Sequence, residues 1–121
     1  LETLQPVTDA EQILALQRQV RTVRVEASVR RYIVSIARAT RGYAGITLGV
    51  SPRGTLALYH TAQAWAALHG REFVIPDDVK FLAPYVLTHR VLIDPQARLR
   101  GRQPHELMAD IVETVPVPVE Q

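Results

Sequence analysis

The chain has 121 residues, 47% of them hydrophobic and 21% charged, with a formal net charge of +2. These numbers describe one globular domain with a real core, and they exclude a disordered chain, a disulfide scaffold (there is no cysteine) and any strong global polyanion attraction. The absence of cysteine fits a reducing compartment, and a cytoplasmic location is expected; no apolar run approaches a membrane span and no signal peptide is visible. The basic residues are lopsided, thirteen arginines against the single Lys80; a genome-wide compositional bias accounts for most of that excess, although arginine is also the better residue for planar, two-pronged contact with carboxylate or phosphate. Because the chain starts at Leu1 and its only methionine is Met108, it reads as a piece of a longer protein.

Residues 1–7 read as an extended leader, residues 8–115 as one helical domain and residues 116–121 as an extended tail. Thr8 and Glu11 form a capping-box pattern, and Ile13, Leu16, Val20 and Val23 follow at spacings of three and four, which predicts a first helix over 9–21. A second helix is predicted over 27–41, with Val29, Ile33, Ile36, Ala37 and Thr40 on one stripe and Arg31, Arg38 and Arg41 on other faces. A loop with three glycines comes next, and its "ITL" is a candidate extended stretch.

The third helix is predicted over 52–69, with Ser51 at the N-cap and Pro52 at the first helical position. It is apolar on nearly all sides, so it is expected to be central, with Trp65 largely buried. After Gly70 a short extended stretch leads to Pro76, where Asp77 and Asp78 suit the first turn of a helix. Pro84 falls inside the apolar pattern of Val79, Leu82, Ala83 and Val86, which predicts two segments, 76–82 and 84–89. "VLID" is a second candidate extended stretch, and Arg98, Arg100 and Arg102 read as a solvated basic loop. Pro104 opens a last helix over 104–114, with Leu107, Met108, Ile111, Val112 and Val115 facing inward. The fold class is therefore all-α, a small bundle of about five helices with at most marginal strand.

No G-x-x-x-x-G-K-S/T loop is present, no H-E-x-x-H, and no ligand-like spacing among His60, His69, His89 and His105, so neither a nucleotide cradle of that kind nor a zinc site is expected. Asp77 and Asp78 are better explained as helix-start residues than as a catalytic pair. Arg53 is the anomaly. It stands at a helix N-terminus, where a cation is disfavoured by roughly 0.3–1 kcal/mol. Either a local carboxylate offsets that cost or the helix simply tolerates it, which is what the pattern alone favours, or the cation meets an anion from outside, at a helix end already suited to one. On the last reading the flanking Gly49 and Gly54 would let a ligand approach closely.

The stretches "GVSPRGTLAL", "AWAALHGREFVIPDDVKFLAPYVLTHR", "ILALQRQVRTVRV" and "YIVSIARATR" resemble the C-terminal lid domain of MoxR-type AAA+ ATPases. The family pattern runs G-A-S-P-R, then A-x-A-x-x-x-G-R-x-F/Y-V-x-P-x-D-V, then V-L-x-H-R, and the likeness covers about residues 5–118. Val50 departs from the usual alanine. The resemblance implies a helical lid that follows a P-loop ATPase core, with ATP and Mg2+ as cofactors of the intact parent and neither expected in this piece, which alone is not expected to hydrolyse ATP.

Arg53 falls on the family's sensor 2 arginine, the implied catalytic residue, and Ser51 and Pro52 flank it in the implied ATP-binding motif. Arg41 and Arg90, beside Thr40 and His89 on recurrent family positions, line the nucleotide cleft or serve as structural ion-pair partners. The implied partners are the ATPase core of the same chain, neighbouring subunits of a ring, a hexamer, and von Willebrand factor A domain proteins, in chaperone-like maturation of partner complexes. No nucleic acid is expected. The first competing reading is a small helical DNA-binding or histone-fold-like module, since "IPDDV" before a helix occurs there too; near-neutral charge and the lack of a basic helix face stand against it, and a third reading is a protein-interaction bundle without nucleotide contact.

Overall fold

The computed structural model describes residues 9–119; the predicted leader, Thr8 and the last two residues of the predicted tail lie outside the described residues. Six α-helices run α1 (Ala10–Arg21), α2 (Ala27–Thr40), α3 (Pro52–Leu68), α4 (Pro76–Leu87), α5 (Pro95–Leu99) and α6 (Pro104–Thr114). A 3-10 turn at Thr88–Arg90 follows α4. The two candidate extended stretches find each other: β1 (Ile46–Leu48) pairs antiparallel with β2 (Leu92–Ile93), Ile46 opposite Ile93 and Leu48 opposite Leu92. The chain is thus mostly helical, as expected, with one helix more than the sequence suggested.

The core is the junction of α2, α3, α4 and α6. All five residues of the α2 stripe are buried, joined by Tyr32. They meet Leu58, Ala62 and Ala66 of α3, Val79, Ala83 and Leu87 of α4, and Met108 and Val112 of α6. Arg24 ties the segment after α1 to the entry of α4, its N–H donating to Glu72 O at 2.8 Å and its carbonyl accepting from Val74 N at 2.9 Å.

Five expectations about the fold need correction. Asp9, not Thr8, caps α1 by accepting from Gln12 N at 2.8 Å, so the cap sits one residue later than the capping-box pattern placed it. The α1 stripe is not a core stripe either: α1 packs on α3 and has no buried residue, and only Val23, beyond its end, reaches the core.

Pro84 does not split α4. The residue lacks an N–H, but it is buried among packed elements, only three helical residues follow it, and the chain then tightens into the 3-10 turn, where the Thr88 hydroxyl donates to the Pro84 carbonyl. The basic loop contains a short helix: Asp94 caps α5 by accepting from Gln96 N at 2.9 Å, Pro95 opens it, and Gly101 leaves it at φ 84°. Arg98 lies in its last turn, Arg100 caps its end, and Arg102 pairs with Asp110 at 2.6 Å.

Trp65 is half-buried rather than largely buried, its ring against His69 and Phe81. Tyr32 carries the opposite surprise, a buried hydroxyl without a hydrogen-bond partner among the described residues. Burial first, and then Glu113 and Asp77, push its pKa above the ordinary tyrosine value. Tyr32→Phe removes an orphaned hydroxyl and leaves the ring in place, so it is expected to hold stability or raise it by about 1 kcal/mol in a urea melt.

Candidate functional site

Ser51 fulfils its expected role at the start of α3: its side chain accepts from Gly54 N at 3.3 Å. Thr55 N bonds to Ser51 O at 3.0 Å, and Pro52 has no N–H to satisfy. Within this first turn the Arg53 N–H therefore stays uncapped among the described residues. The Arg53 side chain is exposed, and no hydrogen bond or ion pair engages it among the described residues. Among the described residues no carboxylate pairs with this arginine.

The segment before the helix is held tightly. Val50 is buried; its N–H donates to Thr40 Oγ1 at 2.9 Å, and its carbonyl accepts from Arg41 Nε at 3.3 Å and Nη2 at 3.2 Å. The Thr40 hydroxyl in turn donates a hydrogen bond to Ala37 O at 2.6 Å. Arg90, at the end of the 3-10 turn, packs on the same helix start: a Cβ placed on Gly54 would stand 3.2 Å from Arg90 Cδ and 2.7 Å from Val50 Cγ1. The Arg90 side chain, like that of Arg53, is exposed and makes no hydrogen bond or ion pair among the described residues.

The fold thus brings Arg41, Ser51, Pro52, Arg53 and Arg90 to one helix end. It also corrects the reading of the two glycines. The space beside Gly54 is filled by Val50 and Arg90, and a Cβ on Gly49 would stand 2.7 Å from Arg41 Cγ and 2.8 Å from Thr40 Oγ1. Both glycines serve close internal packing, not the approach of a ligand.

Other candidates separate from this site. His89 lines a groove of about 540 Å³ with Tyr85, Arg98 and His105, none of which belongs to the α3 start. No group of three or more histidine or carboxylate residues could hold a metal among the described residues, and no described helix is long and apolar enough to cross a membrane. The outer face of α2 carries exposed Arg30, Arg31 and Arg38 on a helix without an acidic residue, so one basic helix face does exist.

Sequence reasoning missed the strongest ion pair. Arg71 grips Asp78 through two bonds of 2.6 Å, Nη1 to Oδ2 and Nη2 to Oδ1, and Asp78 Oδ2 also accepts from Ile75 N at 3.0 Å. The hydrogen bond to Asp78 pushes the Arg71 pKa above its ordinary value. The signal was present in the G-R and D-V halves of one recurring pattern, which are the two ends of this bridge.

Residues 38–111 match the AAA lid domain family. Over the whole chain, 121 residues, the sequence is 46% identical to the uncharacterised protein YeaC of Bacillus subtilis, covering 38% of that protein. It is 33% identical over 110 residues to protein MoxR of Methylorubrum extorquens, covering 79% of this chain and 32% of that one. It is 30% identical over 96 residues to chaperone MoxR1 of Mycobacterium tuberculosis, covering 72% and 26%. A crystal structure of a Cytophaga hutchinsonii protein assigned as an ATPase superposes on 90% of the chain with a TM-score of 0.85 at 25% identity, covering 36% of that protein. The chain spans about a third of the length of the relatives it matches. Of the readings left open by the residues alone, the family match supports the lid, and the chain belongs to the AAA lid domain family, as a lid of the MoxR type.

Proposed function

We propose that the start of α3 is the sensor 2 element of a MoxR-type AAA+ ATPase, with Arg53 contacting the phosphates of ATP. The observation that carries this reading is Arg53 itself, an exposed arginine without a partner among the described residues, on the residue that also holds the uncapped N–H of its helix. A cation there costs stability until an anion arrives. A guanidinium fork beside a free backbone donor suits phosphate oxygens, and Arg90, packed on the same helix start from the 3-10 turn after α4, adds a second cation without an ion-pair partner among the described residues.

This donor set fits the phosphates of ATP and does not fit Mg2+, which in this reading is held with the nucleotide by the ATPase core of the parent. Bound there, ATP supplies a terminal phosphate whose hydrolysis changes the charge that Arg53 meets. The lid responds as one body because α3 packs on α2 and α4, and α4 on α6. In the parent that movement passes to the next subunit of a ring, a hexamer, and drives chaperone-like remodelling of a partner complex in the cytoplasm. Von Willebrand factor A domain proteins are the partner class in this reading.

The test is steady-state ATP turnover by the full-length parent together with thermal melting of this chain. Arg53→Ala should lower turnover about ten- to a hundredfold, the size of a lost charge-assisted hydrogen bond, with the melt unchanged. Arg53→Lys should restore part of it, since lysine keeps the charge and loses the fork. Mixing Arg53→Ala subunits with subunits lacking a working P-loop separates action on the same subunit's nucleotide from action on a neighbour's. Unchanged turnover in Arg53→Ala, or a loss of more than about 1 kcal/mol from the chain alone, overturns the reading.

A further inference from the structure

Thr40 and Arg41 end α2, and between them they hold both polar backbone groups of Val50. Val50 immediately precedes Ser51, the cap of the helix that carries Arg53. The connection has little slack. The Val50 side chain is 1% exposed, and a methyl group added at Gly49 or Gly54 would collide with this clamp or with Val50 at 2.7 Å. The Thr40 hydroxyl is fully used: it donates to Ala37 O and accepts from Val50 N. Arg41 places two N–H groups of one guanidinium on one carbonyl. An arginine whose donors converge on a backbone oxygen holds that backbone; a residue meant to meet phosphate keeps its fork open, as Arg53 does.

We infer that Thr40 and Arg41 are positioning residues, a clamp from α2 that fixes the start of α3 and thereby sets where Arg53 points. This inference rests on the sensor reading of Arg53 and gives that site a second layer. It assigns Arg41 to the backbone of Val50 rather than to the nucleotide. The physical expectation is that loosening the clamp leaves the Arg53 charge in place and moves it, and misplacement by a fraction of an ångström to an ångström is enough to lower a rate severalfold or more.

The experiment measures kcat and KM for ATP in the full-length parent carrying Thr40→Val, Thr40→Ser, Arg41→Met or Arg41→Lys, each alone and combined with Arg53→Ala. Thr40→Val is nearly isosteric and removes both hydroxyl bonds; Arg41→Met keeps much of an exposed side chain's stem and removes both guanidinium bonds, and a thermal melt checks that each variant folds. Thr40→Val and Arg41→Met should each lower kcat/KM at least about fivefold, the size of one hydrogen bond, with Thr40→Ser near wild type and Arg41→Lys intermediate. In the Arg53→Ala background the same substitutions should have no further effect, because the clamp acts through Arg53. Additive losses in that background overturn the clamp and leave the sensor reading standing, as does wild-type turnover in Thr40→Val and Arg41→Met while Arg53→Ala is impaired. An inert Arg53→Ala overturns both.

Discussion

Arg71→Ala is expected to cost about 3–5 kcal/mol of folding stability, the largest single effect outside the apolar core. The Asp78 side chain is 4% exposed and that of Arg71 25%. Truncating the arginine leaves a carboxylate that cannot turn to water, held by one backbone N–H at 3.0 Å and by the start of α4. Those partners stabilise an anion there but do not replace two charge-assisted bonds. For a chain of this size the loss corresponds to a fall of roughly 10–25 °C in melting temperature. Arg71→Lys should recover about half, because a lysine keeps the charge and loses the two-pronged geometry. The bridge joins the end of α3 to the start of α4, so the damage should spread through the largest helix contact in the domain. A cost below about 1 kcal/mol by urea melt would show that the pair behaves as a surface ion pair.

Elements with signals in a few adjacent residues were legible. Ser51–Pro52, Pro76–Asp77–Asp78 and Pro104 mark the starts of α3, α4 and α6, and the α2 stripe is buried residue for residue. Where the reading failed, the deciding interaction was competitive or distant. Thr8 and Asp9 are both able to cap, and choosing between them from the sequence was a coin toss settled by one hydrogen bond to Gln12. Asp94–Pro95 is the same cap signature as Ser51–Pro52, but the helix it opens is only five residues long and too short to show a periodic apolar stripe. The backbone chemistry of Pro84 alone predicts a break, whereas its burial among packed elements holds the helix through it.

The candidate site divides in the same way. Arg53 was visible as a cation in the wrong place. The Arg41 contact with Val50 joins residues nine apart across a loop and β1, and no periodicity reports a guanidinium on a backbone oxygen. The glycines were seen, but the side chains filling the space beside them come from α2 and from the turn after α4, which only the fold brings close.

Leu58→Ala and Leu56→Ala make the sharpest contrast within one helix. Leu58 is 0% exposed and packs in the core, so its truncation is expected to cost about 2–5 kcal/mol, depending on how far the site collapses around the cavity. Leu56, two residues earlier, is 57% exposed and should change stability by no more than about 0.5 kcal/mol. Trp65, half-buried against His69 and Phe81, should fall between them at roughly 1–3 kcal/mol, below the cost of a fully buried aromatic. The order matters because α3 is apolar on nearly every side while its core contacts use one face, leaving Leu56 and Leu68 to solvent at 57% and 81%. Leu56 follows Arg53 by three residues, so it lies on the same side of the helix, one turn on. Thermal melts of the three variants of this chain should give Leu58 as the most costly, then Trp65, then Leu56. In the full-length parent the order should change in one respect: if the face with Arg53 closes over nucleotide against the ATPase core, Leu56→Ala becomes costly there, and its effect grows when ATP is added. A Leu56→Ala cost equal to that of Leu58 in the chain alone would mean that this face is already covered, and a cost that stays near zero in the parent with ATP would mean that the start of α3 does not close on anything.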